Sequence, residues 1–466
     1  KTLAAAAIGA LAATSATQAH DQVPGAKQQQ PIVLQGGTLH TVTQGTLVDT
    51  DLVFSDGKIT AIGTDVAVPD NAEVVDISGQ HVYPGVIAMD TTLGLNEIEA
   101  VRATRDAREV GEVTPEVAGH IAFNADSEVI PTVRYHGITH AQVVPEGSLV
   151  NGQSSLMQLD GWNYQDSLVA AEVGVHVSWP RTYVVDTWWE RRSPAEQREA
   201  NAKALKRLKR VFADAKAYYD AKQADLNMLV DQRWEAMLGL FDGSKKLFVH
   251  AEDKRQIEQA LDLTQEYGFD LVLMGARDAW RIADRLAETQ TPVVFGSPFG
   301  LPARDDEGYD QAFATPARLA EAGVNFAISY PGYWDVRNLP FAAGQSVAFG
   351  LDVEQALKAI TLKPAEFLGV ADQLGSLEVG KDADFTVWNR DPLSSYALVQ
   401  ETWIEGACYF SREKDAEVRR RDRDERSRLL GKLLVKQLGD AQMPPPVEPP
   451  PSNEPADPRG VCGCTD

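Results

Sequence analysis

Apolar and polar residues follow two alternating patterns over most of the chain. Between residues 82 and about 369, short strand-type runs are separated by stretches with a helical period. The strand candidates are 86–89, 137–144, 173–177, 246–250, 270–274, 292–295 and 324–328. Repeated strand–helix units build parallel sheets, and a (β/α)8 barrel takes about 250 residues. The pattern therefore predicts an α/β fold with a TIM-like barrel over 82–372.

Two further segments have only strand-type patterns. Residues 31–81 contain short alternating runs, with a hairpin signal at Asp56-Gly57. A second set of β-type runs lies far downstream, over residues 373–411. We expect both segments to form sheets outside the barrel.

The barrel segment is longer than it needs to be, and one helical region explains the surplus. Ser193-Pro194-Ala195-Glu196 is a capping box with proline at the first helical position, which predicts a helix start. A second apolar stripe over 226–238 predicts a partner helix.

Charge and the chain ends narrow the class of protein. The 44 basic and 67 acidic residues give a net charge of −23, which disfavours nucleic acid as a partner. Lys1 and the short apolar run after it predict a signal peptide over 1–19, a linker over 20–30 and a periplasmic or secreted location. No membrane span is expected. Residues 412–466 read as a charged helix and a Pro-rich tail, and Cys408, Cys462 and Cys464 are too few for a disulfide framework.

Residues 82–97 carry a family resemblance. Pro84-Gly85 leads into an apolar strand that ends at Asp90-Thr91-Thr92-Leu93-Gly94. This resembles the first barrel strand of the metal-dependent amidohydrolase superfamily, which ends His-x-His-Leu-Gly, so Asp90 and Thr92 replace the two histidines. Residues 380–384 resemble another marker of the family, and residues 147–153 and 335–338 are similar to the imidazolonepropionase-like subgroup. The resemblance implies that 31–81 and 373–411 join into one composite β-sandwich.

The resemblance also implies a metal-assisted hydrolase of non-peptide C–N bonds. Such enzymes hold one or two divalent ions at the carboxyl ends of the barrel strands. His250 fits the histidine of strand five. The strand-six histidine falls at Met274 or Gly275, and the strand-eight aspartate falls near 329–331, with Asp335 the nearest carboxylate. The metal motif is therefore degenerate.

A rearranged site is an alternative. His140 and His176 lie in predicted strands, and with His250 and Asp90 they would give three nitrogens and one oxygen to a zinc ion, while Asp335 would be the catalytic base. Predicted mouth loops carry the substrate-binding candidates Asn151, Gln153, Arg337 and Asn338. These would suit an amide or a carboxylate, although the Asn and Gln side chains equally suit loop capping.

Three functions follow from these patterns. The first is an exported amidohydrolase that uses one divalent ion, with zinc favoured, on a small amide-like substrate. The second is a catalytically inactive binding or partner subunit without an ion, forming a homo-oligomer or assembling with an intact homologue. The third is ligand binding or hydrolysis at the mouth without a metal. The first function requires a metal site, whereas the degenerate metal motif favours the other two.

Overall fold

The computed structural model describes residues 25–224, 229–296 and 298–438. The predicted signal peptide, Leu226, the Pro-rich stretch, Cys462 and Cys464 lie outside these residues. The chain divides into one unit that ends at Arg412 and a second that begins at Glu413. Of the helices in the described ranges, none is long and apolar enough to cross a bilayer.

The strands and helices of the described residues alternate in the predicted manner through the barrel. The strands are β1 Ile32–His40, β2 Thr46–Ser55, β3 Lys58–Gly63, β4 Glu73–Asp76, β5 His81–Pro84, β6 Val86–Thr91, β7 Ile138–Val143, β8 Val150–Gln158, β9 Leu168–Ser178, β10 Lys246–Ala251, β11 Leu271–Gly275, β12 Val293–Phe295, β13 Phe326–Ile328, β14 Phe385–Trp388, β15 Val399–Ile404 and β16 Ala407–Ser411. The helices are α1 Val129–Arg134, α2 Pro194–Ala224, α3 Gln232–Asp242, α4 Lys254–Tyr267, α5 Ala283–Glu288, α6 Gln311–Glu321, α7 Leu339–Ala348, α8 Val353–Ile360, α9 Leu362–Leu368 and α10 Arg412–Leu438.

Strands β6 to β13 form a nearly closed eight-stranded barrel, in the order in which they occur along the chain. The first and last strands of this sheet, β6 and β13, approach each other. The Thr92 amide, which follows β6, donates a hydrogen bond to the Gly332 carbonyl, which follows β13, at 3.4 Å. The seven predicted strands are all present. The eighth, β8, is antiparallel to both of its neighbours, so hairpins connect β7, β8 and β9 in place of helices.

The prediction that Asn151 and Gln153 lie on loops is wrong, because both are part of β8. Every residue of this strand is buried, and five of its nine residues are Asn, Gln or Ser. A strand covered on both faces shows no alternation of apolar and polar residues, which explains why the pattern did not reveal it.

The barrel interior is an apolar cluster that does not depend on a bound group. It consists of Ile87, Met89, Leu156, Phe248, Val272, Met274, Val294 and Ala327, and residues of α9 and the following turn pack against it. The opposite faces of the strands pack on the surrounding helices in a second, larger cluster. Because α9 packs on one end of this core, the carboxyl ends of the strands are left as the open mouth.

The composite domain predicted from the resemblance is confirmed. Its sheet has the order β16-β15-β14-β5-β1-β2-β3, with β4 paired to β1. The antiparallel pairing of β5 with β14 joins the two distant segments. The rings of Phe54, Phe385 and Trp403 form its aromatic core, with centroids 5.2 to 5.7 Å apart.

The additional helical region of the barrel segment also lies where the sequence predicted it. The Ser193 amide donates to the Glu196 carboxylate at 2.7 Å and the Glu196 amide donates to the Ser193 hydroxyl at 3.3 Å, which is the predicted capping box of α2. The partner helix α3 begins only at Gln232. Leu229 and Val230, which belong to the predicted apolar stripe, are exposed.

We predict that Gly137→Ala weakens the fold more than Gly45→Ala. Both glycines have positive φ, +84° and +80°, where a Cβ costs about 1–2 kcal/mol. At Gly137 the added Cβ would also lie 2.6 Å from the Trp388 ring. At Gly45 no atom lies within 4 Å of the added Cβ. Overpacking of this kind costs about 1–3 kcal/mol. Urea unfolding of both variants measures the difference, and equal losses would contradict the close packing of Gly137 on Trp388.

Candidate functional site

A polar cavity opens at the carboxyl ends of the barrel strands. This inner cavity has a volume of about 420 Å³. An outer cavity of about 610 Å³ shares Thr92, Arg108, Glu146 and Gly332 with it, so the two form one opening. The polar side chains that line the inner cavity are Asp90, Thr91, Thr92, Arg108, Glu146, Asn151, Ser178 and His250.

Asp90 ends the regular part of β6 with an unusual backbone. Its φ is +58°, and the pairing register with β7 shifts between Ala88 and Thr91. The Asp90 amide donates to the Gln142 side-chain oxygen at 3.3 Å. This bulge directs the carboxylate toward β10, where Asp90 Oδ1 lies 3.9 Å from His250 Nδ1.

The other nitrogen of His250 is already engaged. His250 Nε2 lies 2.9 Å from His176 Nδ1, so one imidazole donates a hydrogen bond to the other. The His176 ring is completely buried and stacks on Phe248 at 4.7 Å. Burial, together with the neighbouring His250, lowers the pKa of His176 well below its ordinary value. His176 is therefore neutral, and its Nε2 has no hydrogen-bond partner among the described residues.

His140 points into the barrel as well, but at the other end. It pairs in register with Ile87 at the start of β6. His140 Nε2 lies 3.7 Å from the Asp384 carboxylate, and His140 Nδ1 lies 2.9 Å from the Thr139 hydroxyl. Burial lowers the pKa of His140 to about 3 and raises the pKa of Asp384 to about 8, although a hydrogen bond from the Glu405 amide opposes the second shift. His140 thus belongs to a buried pair below the mouth.

Of the other predicted site residues, some line the two cavities and others lie elsewhere. The Asn151 side chain lies at the inner cavity and donates to the Ser178 hydroxyl at 2.9 Å. Asp335 lines the outer cavity and is largely exposed. Gln153 instead accepts a hydrogen bond from Lys245 on the outer face of the barrel.

Arg337 and Asn338 line neither cavity. The Arg337 guanidinium lies over the Trp334 ring, 4.6 Å from its centroid, and also 3.8 Å from the Asp335 carboxylate. Asn338 occupies the N-cap position of α7 without a side-chain cap bond. The geometry does not bring these two side chains to the predicted binding site.

Sequence reasoning missed several groups at the mouth. Arg108 donates to the Gly147 carbonyl at 3.2 Å, and Arg102 and Arg105 line the outer cavity. Glu252 follows β10, and burial raises the pKa of its carboxyl against the opposing charge of Arg277. Its position two residues after His250 was the available signal for Glu252. The arginines gave none, because an exposed loop charge is usually solvated.

The side chains present do not fit a catalytic divalent ion. Such a site needs about three protein ligands that converge on one point. In the described part of the chain, no three His, Cys, Asp or Glu side chains could hold a metal. His176 and His250 bind each other, His140 faces Asp384, and the strand-eight position is the buried hydroxyl of Ser329. The zinc set predicted from Asp90, His140, His176 and His250 therefore does not assemble.

Comparison with known proteins finds a family similarity over part of the chain. The sequence model of the amidohydrolase family matches residues 277–413, which span the last barrel strands and the second half of the composite sheet. This part of the chain is therefore similar to the amidohydrolase family. The fold agrees, because an amidohydrolase structure from Thermotoga maritima superimposes with a TM-score of 0.72 at 24% identity, covering 82% of this chain and all of that one.

Curated relatives match the chain over different lengths. An amidohydrolase of Hapsidospora irregularis, tasK, is 22% identical over 394 residues, which is 77% of this chain and 40% of the relative. The imidazolonepropionase of Syntrophobacter fumaroxidans is 39% identical over 77 residues, which is 16% of this chain and 18% of that protein. The chain thus spans less than half of the length of either relative.

We predict that the buried pair makes stability fall as pH rises from 6.5 to 8. Asp384 keeps its proton up to about pH 8 when folded but has an ordinary value of 3.8 when unfolded, so the folded chain binds more protons between these values. His140 acts in the opposite direction below its ordinary value of 6.5, where only the unfolded chain is protonated. The two effects cancel from about pH 4 to 6.5, and Asp384 alone acts above that range.

Urea unfolding at several pH values measures this effect. Relative to Asp384→Asn, which stays neutral, the unaltered chain is expected to lose about 1.4 kcal/mol per pH unit between 6.5 and 8. His140→Gln is the control, since it should keep that slope. Parallel curves for Asp384→Asn and the unaltered chain would show that Asp384 is ionised in the folded state.

Proposed function

We propose that this chain is an exported, small-molecule-binding amidohydrolase-superfamily protein that does not use zinc-assisted hydrolysis. One observation supports this proposal above others. The two histidines nearest the mouth, His176 and His250, form a hydrogen bond at 2.9 Å, and the Asp90 carboxylate stands beside them. An imidazole nitrogen that takes part in this bond is not a free ligand for an ion.

The inner cavity suits an amide-like molecule. The side chains of Arg108, Asn151 and His250 can donate to a carbonyl oxygen, while Asp90 and Glu146 can accept from an N–H group. Its volume of about 420 Å³ falls within the range of about 300–1,000 Å³ for small-molecule sites. The outer cavity adds Arg102 and Arg105, which would favour a ligand that also carries a carboxylate.

The same proposal includes location and partners. Lys1 and the apolar run up to Ala13 support export to the periplasm or secretion, with cleavage after Ala19. A barrel that keeps its fold but not its ion would act as a partner subunit, either with a second copy or with an intact homologue. Mass spectrometry of the exported protein tests the cleavage, which should leave His20 as the first residue.

Hydrolysis of a non-peptide C–N bond is the second candidate function. The similarity to the amidohydrolase family supports it, and so does the position of Asp90 and His250, whose facing atoms lie 3.9 Å apart beside the inner cavity. A carboxylate and an imidazole at a cavity wall are the usual general bases for activating water. In this case the general base is Asp90 or His250. The predicted base, Asp335, is too exposed to fill that role.

We predict that purified protein contains far less than one zinc ion per chain. Elemental analysis after growth in zinc-supplemented medium is the measurement, because the mouth offers too few converging ligands to retain an ion. Unfolding temperature should not change with a strong chelator. As a control, Asp90→Asn and His250→Gln should leave the metal content unchanged. About one tightly held zinc per chain, lost in either variant, would contradict the proposal.

We also predict that Asn151→Ala weakens the binding of amides at the mouth about ten-fold. A loss of this size corresponds to the removal of one well-placed or charged hydrogen bond. Calorimetry with hydantoin and N-acetylglycine as probes is the measurement. Asn201→Ala, which removes the same amide group from α2, is the matched control and should bind normally. If both variants bind like the unaltered chain, the inner cavity is not the site.

The two candidate functions separate in one assay. Ring opening of hydantoin to N-carbamoylglycine, or release of glycine and acetate from N-acetylglycine, reports hydrolysis directly when a chelator is present. Activity that survives the chelator and is lost in Asp90→Asn would favour the hydrolase. Binding without turnover is the result expected from the primary proposal.

A further inference from the structure

The second unit of the chain has an apolar helix end that none of its described residues buries. Leu429, Leu430, Leu433, Leu434 and Val435 of α10 are between 46% and 55% exposed. None of the residues of α10 whose burial is described is buried. Five large apolar side chains within seven residues form a patch of the kind that marks an interaction surface. We name residues 429–435 the leucine segment.

Basic residues surround the leucine segment, although the protein as a whole is acidic. Residues 419–436 contain eight basic side chains and three acidic ones, while the whole chain has a net charge of −23. Lys432 and Lys436 are four residues apart and therefore share one face of the helix. Neither lysine has an ion pair within the described ranges. Leu430 and Leu434 have the same spacing and lie on a different face of the helix.

We propose that the leucine segment binds to the surface of an anionic phospholipid bilayer. An exposed helix end that carries leucines and lysines together can lie in the bilayer interface, with its apolar side chains toward the acyl region and its long cationic side chains reaching the headgroups. Electrostatic complementarity supports this occupant, since basic clusters are attracted to anionic headgroups at about five-fold in affinity for each Lys or Arg.

Pairing with a second copy of α10 fits these charges less well. Two identical leucine segments in contact would bring Lys432 and Lys436 of both helices, and the arginines that precede them, into one small volume. Like charges at such distances repel. A bilayer instead supplies the opposite charge and the apolar phase together.

The segment is suited to lie on a membrane rather than to cross it. Seven helical residues span about 10 Å, whereas the hydrocarbon core is about 30 Å thick. None of the described helices meets the requirements for a membrane span. Binding is therefore expected to be reversible and sensitive to salt, because charge attraction at the surface is screened within a Debye length.

Co-sedimentation of the full chain with vesicles tests the proposal. Vesicles of phosphatidylcholine mixed with an equal part of phosphatidylglycerol should carry the protein down, while phosphatidylcholine alone should bind at least about ten-fold less. Raising the salt to about 1 M should release the protein, because the Debye length then falls to about 3 Å. Equal binding to both vesicle types, or no binding to either, would overturn the proposal.

Two variants and a control identify the segment. Leu430→Gln/Leu434→Gln, which keeps good helix formers, should abolish most of the binding. Lys432→Gln/Lys436→Gln should weaken it by about 25-fold. Leu301→Ser, which removes an even more exposed leucine from the first unit, should bind like the unaltered chain. Circular dichroism verifies folding, and leucine-dependent dimers in sedimentation velocity without vesicle binding would show that α10 pairs with itself.

Discussion

The hydrogen bond between His176 and His250 decides what the barrel mouth can do. Both rings are inside the barrel, and burial keeps His176 neutral, so the His176 ring has one N–H donor and one lone pair. The contact at 2.9 Å uses a donor from one ring and the lone pair of the other. The two nitrogens that face each other are therefore not available to a metal ion. The mouth is therefore organised around hydrogen bonds between side chains, and its chemistry is that of polar recognition.

This arrangement is compatible with a stable barrel because the fold rests on other contacts. The interior cluster that includes Phe248 and Met274 is apolar, and the pairing of β5 with β14 closes the composite sheet. Met274 occupies the position where the family places a histidine, and there it adds to the core. Met274 thus contributes hydrophobic burial to the barrel interior.

The sequence predicted the architecture well and the site poorly, for a physical reason. Strand periodicity located seven barrel strands, and the capping box located α2, because both depend on local contacts. Periodicity also tells which face a side chain takes, and His140, His176 and His250 do face inward. It does not tell at which level, since that depends on register between strands. His140 lies level with Ile87 at the far end of the barrel, so the three histidines never meet.

The polar groups that remain unpaired in the described part of the barrel support the proposal of a small-molecule ligand. The Ser329 hydroxyl and His176 Nε2 are buried without a hydrogen-bond partner in the described residues. Each such group costs about 1–3 kcal/mol, and an apolar side chain would remove that cost, as Met274 does on strand six. A barrel retained only for its shape would be expected to replace them in the same way. Their retention is what the proposed binding of a small polar molecule would require.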